Sequence, residues 1–463
     1  MFSEIQQAKL LILYAPVFAN CGIGTSIEAL YREMEKRGWD VTIGLAWGEI
    51  FHNPRNFERF HPGLKTTWMD ARTGSEEGRV QAIIRTIKKV KPSIVFHTYL
   101  NSAFEAARRL RAKGFPFQFV VANRGSMPEQ AACLIENRDA IDYVTCVNRL
   151  SYLTMLSFKD AFPSDRIHYI PNGVPPPVAP PQRLEQGPKR VGYAGRLTKD
   201  KRFQDIFPFF RSLSDLNASI ELWVAGDGSL AEEIKKLSNE FPGRVKYFGS
   251  LSRDELYRNF YPAIDVLIHF SPTEGWSLSI GEAMINGVVP VVSTFSGIYT
   301  EALLRPNHNA LFFPIGDTDA AAKLVEALLR DPQCLTKLSN QAKELILHEF
   351  SLDQFGERWS KRLTSFLSKT SKAALPRKKV ALLNREMRLE PYKEMLRRLL
   401  RRRFLHRYAG EEWPPLTCRN RELLEQVRMR MHAIEQDHKA LVGPIDEASE
   451  VGKLQSMILR GTL

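Results

Sequence analysis

Cysteine is scarce in this 463-residue chain, and long apolar runs are missing. The five cysteines (Cys21, Cys133, Cys146, Cys334 and Cys418) are scattered, with no CxxC pair and no metal-ligand spacing. That excludes a disulfide scaffold and a structural zinc module, and suits free thiols in a reducing compartment. No stretch approaches the roughly 18–20 apolar residues of a membrane-spanning helix. The apolar start "KLLILYAPVFANC" (9–21) is short, broken by Pro16 and preceded by Glu4. It reads as a buried first strand ending at a ligand loop, not as a signal peptide. A cytoplasmic location is expected. A repeat of fixed period is also lacking, which argues against a solenoid.

What is there in excess is positive charge, a formal +13. Its distribution matters more than its sum. Between Ser371 and Gly410 stand 13 Lys/Arg against 3 Glu, while Glu411 to Leu463 holds 7 basic against 9 acidic residues. The first 370 residues therefore carry only +5. A near-neutral body without aromatics interleaved on a basic face argues against nucleic-acid binding. With 44% hydrophobic and 25% charged residues, the chain has the composition of a folded protein. Its length exceeds one typical core, so two domains plus an extra segment are expected.

Short β-rich runs alternate with helical patterns from the start. "KLLILYAP" precedes "GTSIEALYREMEKRG", where Ile27, Leu30, Tyr31 and Met34 recur at helical spacing, and "WDVTIGLAW" follows as a strand. Such alternation predicts parallel βαβ units and a doubly wound sheet. The proline-dense stretch "IPNGVPPPVAPPQRLEQGP" (170–188) interrupts it as a surface linker. Then the rhythm resumes with "RVGYAGRL", "ASIELWVAGDG", "GRVKYFGSL", "AIDVLIHFS" and "GVVPVVSTF". Two Rossmann-like domains facing a cleft are expected, with ligands outside the carboxyl ends of the strands.

In the second half the strand ends gather chemistry. "GYAGRLTKDKRF" puts Arg196 just past a strand and Lys201 five residues later, two cations able to neutralise a diphosphate. "VAGDG" offers Gly226 and Gly228, which permit close backbone approach. "TEGWSLSIGEAMINGVVPVV" (273–292) holds Glu274 and Glu282. Glu274 should fall past a strand, and Ser277 or Ser279 should cap a helix containing Glu282 and Met284. That helix N-terminus is an anion site, and each carboxylate suits a vicinal diol.

The ordered set "IPNGV", "GYAGRL", "VAGDG", "VKYFGSLSRDEL", "SPTEGWSLSIGEAM" and "SGIYTEAL" resembles GT-B glycosyltransferases of family 4, retaining enzymes that use nucleotide-sugar donors. The resemblance implies that Arg196 and Lys201 bind the donor diphosphate and Glu282 the ribose. Glu274 and the amides of Gly275, Trp276, Ser277 and Leu278 would hold the transferred sugar and phosphates. Phe248 would frame the base, and Gly22, Gly24 and Gly226 would face the donor. It also implies front-face attack, with the leaving phosphate taking the acceptor proton and Arg196, Lys201 and Glu274 as the catalytic set. A hexosyltransferase independent of metal follows, with no cofactor beyond the nucleotide-diphosphate sugar.

Two positions depart from the family. Where many members carry a histidine after the strand "FQFVVAN", this chain has Asn123 and Arg124. Arg124 would take an electrostatic role or bind an anionic sugar or acceptor. With His97 at another strand end, these are the acceptor-side candidates. Trp276 stands where the family often has Phe, keeping an aromatic beside the donor sugar.

The expected boundaries are 1–173 for an acceptor domain, 174–350 for a donor domain, 351–370 for a crossover helix returning to the first domain, and 371–463 for a mainly helical basic extension. Within it, "MLRRLLRRRFLHRY" (395–408) interleaves Leu and Phe with Arg, the pattern of a helix lying on an anionic membrane. The acceptor would be a glycan, lipid-linked or protein group, and the cytoplasmic location would extend to a peripheral position at the inner face of the membrane. A nucleotide-sugar epimerase of the same fold, or a non-catalytic scaffold or anionic-membrane binder, are the alternative readings.

Overall fold

The computed structural model describes residues 8–16, 22–47, 53–70, 76–98, 100–183, 187–301, 303–368, 420–441, 445 and 447–462, with 392, 395, 396, 399 and 400 besides. The chain divides into two compact units. One comprises Met1–Gly173 with Phe355–Ala433, the other Val174–Gln354 with Ile434–Leu463.

The first unit is built on seven parallel strands: β1 (Lys9–Tyr14), β2 (Asp40–Trp47), β3 (Thr66–Asp70), β4 (Ile94–Thr98), β5 (Gln118–Asn123), β6 (Tyr143–Cys146) and β7 (Ile167–Tyr169). Their spatial order is β3-β2-β1-β4-β5-β6-β7. Leu10 to Tyr14 are all buried, as a strand covered on both faces requires, which is why it reads as an unbroken apolar run. The helix Gly22–Lys36 buries Ile27, Leu30, Tyr31 and Met34, the stripe its sequence spacing predicts. The helix Leu352–Leu367 buries Phe355, Trp359, Leu363 and Phe366. Trp359 meets Phe96 edge-on at 5.2 Å and Phe366 stacks on Tyr143 at 3.9 Å. Each such burial contributes about 1.5–3 kcal/mol relative to exposure.

The second unit holds six parallel strands: β8 (Arg190–Ala194), β9 (Glu221–Ala225), β10 (Val245–Tyr247), β11 (Val266–His269), β12 (Val289–Ser293) and β13 (Leu311–Phe313). Their order is β10-β9-β8-β11-β12-β13. The direction of winding reverses between β8 and β11, and a ligand crevice belongs at such a switch point, outside the carboxyl ends. From Val174 to Arg183 the proline-rich stretch forms no helix or strand and lies on this unit: Arg183 donates to the carbonyls of Ile264 and Asn286, at 2.7 and 2.6 Å.

The chain's last part completes the second unit. The helix Glu450–Arg460 buries Val451 and Ile458 in the core of this sheet. Its Gln455 is wholly buried; the amide oxygen accepts from Phe312 N at 2.7 Å and the amide nitrogen donates to Phe312 O at 2.6 Å. One side chain thus does for edge strand β13 what a neighbouring strand would do, and closes an edge open to foreign pairing. Of the expected amphipathic segment 395–408, only Met395, Leu396, Leu399 and Leu400 are described, all exposed; the rest lies outside the described residues. No helix among the described residues is long and apolar enough to cross a membrane.

Candidate functional site

At the switch point of the second unit, β8 delivers the loop of Arg196 and Lys201, and β11 delivers the loop of Glu274. Lys201 Nζ lies 2.6 Å from Glu274 Oε1. His269, the last residue of β11, adds Nε2 at 3.2 Å from the same oxygen. The Glu274 side chain is only 11% exposed. Burial alone would raise its pKa, but the Lys201 ammonium and His269 outweigh it and hold the carboxyl well below the usual range. Glu274 is therefore an anion at any ordinary pH. Arg196 reaches Asp200 Oδ2 at 2.6 Å, while its own carbonyl accepts from Tyr193 Oη at 2.9 Å.

The helix that follows runs Leu278–Ile285, and Ser277 occupies its N-cap without making a side-chain cap bond. Instead Ser277 Oγ lies 3.2 Å from Ser279 Oγ. The first-turn N–H groups, which no helix can satisfy internally, therefore keep their capacity to bind an anion. Trp276 turns inward, 6% exposed, 5.4 Å from the ring of Phe350. A β-carbon on Gly281 would come 2.8 Å from the Trp276 ring, so that glycine makes room for the indole. The indole expected beside a sugar thus packs against Phe350 and Gly281 in this structure.

Glu282 is buried on the same helix. Tyr261 Oη donates to its Oε2 at 3.0 Å, and Arg253 Nη2 lies 3.3 Å from its Oε1. Burial raises the Glu282 pKa, and Arg253 and Tyr261 oppose that rise. The two glutamates are therefore unlike: one is anchored as an anion, the other sits where ionisation is disfavoured.

Glycine at 226 has φ +144°, and a β-carbon there would meet Gly195 O at 1.8 Å; one on Gly228 would meet Leu197 O at 2.5 Å. The close approach these glycines permit is that of the 195–197 backbone. It is tied by Gly195 N to Ala225 O at 3.0 Å and Leu197 N to Asp227 O at 3.0 Å. They hold Arg196 in place. Phe248, 40% exposed, rests on Trp223 at 5.1 Å and Phe260 at 6.0 Å.

In the first unit, three separate motifs meet. Arg124 Nη1 donates to Ser26 Oγ at 2.8 Å, and Ser26 Oγ donates to Asn172 Oδ1 at 2.8 Å. Asn123 is wholly buried at the end of β5, and neither amide atom has a hydrogen-bond partner among the described residues. Gly22 is exposed at the helix start, whereas Gly24 is buried against His61. His97 lies apart from this group in its chemistry. It is 1% exposed, stacked on Phe119 at 5.2 Å and edge-on to Phe104 at 4.9 Å, with neither ring nitrogen hydrogen-bonded among the described residues. Burial pushes its pKa down to about 3, so it stays neutral and acts as a core aromatic.

Sequence reasoning missed Asp200, Arg253, Tyr261 and His269. Asp200 and His269 flank residues that were singled out, so their neighbourhood was a usable signal. Arg253 sits in "SLSRDEL", where Ser252 and Glu255 form a capping box that marks a helix start and not an Arg–Glu pair. Tyr261 has no local signature.

Residues 179–345 match the family described as glycosyl transferases group 1. The chain is 28% identical over 173 residues to the lipopolysaccharide core biosynthesis glycosyltransferase LpsE of Rhizobium meliloti, covering 37% of this chain. It is 26% identical over 187 residues to the lipopolysaccharide 1,2-N-acetylglucosaminetransferase of Salmonella typhimurium, covering 38% of this chain. The chain spans about half the length of these curated relatives, 48% of each. The crystal structure of Anabaena HepE in complex with UDP and glucose superposes with a TM-score of 0.60 at 15% identity, covering 78% of this chain and all of that one. At that identity the likeness speaks for the fold. With its two parallel sheets of Rossmann type, the chain has the GT-B fold, and its residues 179–345 are similar to the glycosyl transferases group 1 family.

Proposed function

We propose that the protein is a retaining, metal-independent hexosyltransferase of family 4 that moves a sugar from a nucleotide-diphosphate donor to a glycan or lipid-linked acceptor. The observation that carries this reading is the Lys201–Glu274 pair at the switch point beside an uncapped helix N-terminus. A cation, a hydroxyl-binding carboxylate and the N–H groups of a helix start are the three things a sugar diphosphate needs. Arg196 and Lys201 take the diphosphate, Glu274 the sugar hydroxyls, Glu282 the ribose, and Phe248 the base. The amides of Gly275, Trp276, Ser277 and Leu278 add N–H groups for the phosphates.

In the free site Lys201 and Glu274 hold each other in place. An arriving diphosphate competes for the ammonium, and Glu274 then turns to the sugar. Because this carboxylate stays ionised, it accepts hydroxyl hydrogens and offers no proton. Its lowered pKa also makes it a weak base, so the acceptor proton goes to the leaving phosphate, whose charge Arg196, Lys201 and the helix end stabilise as it builds. On the acceptor side, the buried amide of Asn123, unpartnered among the described residues, and the Arg124–Ser26–Asn172 relay offer polar groups for a hydroxylated or anionic partner.

The names of the two relatives, both lipopolysaccharide enzymes, support a glycan or lipid-linked acceptor. The exposed Met395, Leu396, Leu399 and Leu400 amid a run of arginines support attachment to an anionic membrane face. Hydrolysis and transfer assays with a panel of UDP-, GDP- and ADP-sugars, with and without EDTA, test the reading. Turnover of one donor class that survives EDTA is expected. No turnover of any, or strict dependence on a divalent ion, counts against it.

A further inference from the structure

The last 30 residues lie outside the group 1 match, and HepE, wholly covered, accounts for 78% of this chain. One of them reaches the donor loop from outside. Glu435 belongs to the helix Arg421–Ala440 and is half-buried. Its Oε1 accepts from the backbone N–H of Gly297, and its Oε2 accepts from Ser296 Oγ at 3.3 Å. One turn on, Lys439 Nζ sits over the Tyr299 ring, 5.9 Å from its centroid. Two side chains of one helix face thus grip the loop that follows β12.

That loop leans on the donor site. Ser296 N donates to Pro272 O at 3.0 Å, and Ser296 pairs with Thr273 as an isolated parallel bridge. Glu274 is the next residue. Gly297 has φ +90°, and its carbonyl collects Thr300 N and Glu301 N at 3.1 and 3.0 Å. In so tight a turn its N–H faces outward and needs an acceptor, which Glu435 supplies as a charge-assisted bond. The connection runs from Glu435 to Ser296–Gly297, then to Pro272–Thr273, then to Glu274.

We propose that Glu435 is a positioning residue for the donor: by fixing Ser296 and Gly297 it sets the height of the Pro272–Glu274 backbone, and so the affinity for the nucleotide sugar. This inference rests on the glycosyltransferase reading above. Glu435 touches no donor atom itself, so its loss raises donor KM more than it lowers kcat.

The test uses the full-length protein as wild type, Glu435→Ala and Glu435→Gln, with the donor that the panel identifies. Glu435→Ala is expected to raise donor KM about tenfold, as loss of one charge-assisted bond would. Glutamine keeps an oxygen for the Gly297 N–H and restores KM to within about threefold of wild type. Amide exchange at 296–301 quickens in the alanine variant alone. An unchanged donor KM in a folded Glu435→Ala protein overturns the proposal, even if its melting temperature falls. A wild type that turns over no donor instead removes the glycosyltransferase reading, and this inference with it.

Discussion

Lys201 and Glu274 stand 73 residues apart in sequence, and their charged atoms lie 2.6 Å apart. The pair joins the two strands at which the second sheet reverses its winding, so it is an outcome of topology. Removing either member leaves the other's charge poorly matched in a largely buried place. Lys201→Ala should lower transfer about 10²–10³-fold, the range for losing one group that stabilises developing charge. It should also cost stability of about 1–3 kcal/mol, from the Glu274 carboxylate left behind. Adding Glu274→Gln should recover the stability but not the transfer. Thermal melts alongside donor turnover check this, and recovered activity in the double variant would contradict the assigned roles.

Glu274 also gives stability a direction with pH. Its folded pKa lies below the unfolded value, so its contribution is complete above the ordinary carboxylate range and fades as pH falls toward the depressed folded value. Glu274→Gln should therefore flatten the acid limb of stability, measured as melting temperature between about pH 5 and pH 3. An identical acid limb in the variant would show that the ion pair is not what titrates.

Glu282 has the opposite sign. Burial raises its folded pKa, so it favours folding below the unfolded value and loses that contribution as pH rises through the folded one. Glu282→Gln keeps the Tyr261 partner and should be as stable as wild type or more so at pH 8. Donor affinity should fall about tenfold with the loss of a ribose acceptor. Calorimetry with the free nucleotide diphosphate reads this directly; unchanged affinity would remove Glu282 from the ribose.

Gln455 makes two hydrogen bonds to one residue of an edge strand from a helix at the end of the chain. Gln455→Ala strips partners from a buried N–H and a buried C=O, a cost of about 2–4 kcal/mol. Faster amide exchange at Phe312 and a lower melting temperature are the expected readings. A melting temperature within about a degree of wild type would mean that water replaces the amide.

Much of the scaffold was legible because its causes are local. Parallel strands buried on both faces must be apolar throughout, so β1 announced itself as "LLILY", and the helix Gly22–Lys36 showed its stripe of Ile27, Leu30, Tyr31 and Met34. The helix containing Glu282 and Met284 begins at Leu278, behind the Ser277 that was expected to start it. The positions of the candidate site residues at strand ends were legible, but the partners of their side chains were not. Nothing in "VLIHFS" shows that His269 will face Glu274, and nothing in "YPAID" shows that Tyr261 will meet Glu282.

By itself the sequence determined the two βα halves, the proline-rich junction, the placing of charge in 371–410, and which side chains stand at the carboxyl ends of strands. These follow from periodicity, turn chemistry and counting, all properties of neighbours in the chain. Tertiary structure alone decided that His97 is a neutral core aromatic, that Gly226 lies against the Gly195 backbone, and that Glu435 and Gln455 return to the second unit. Each of those is a contact between segments distant in sequence, set by which surfaces must be buried together, and a packing choice of that kind leaves no local pattern to read.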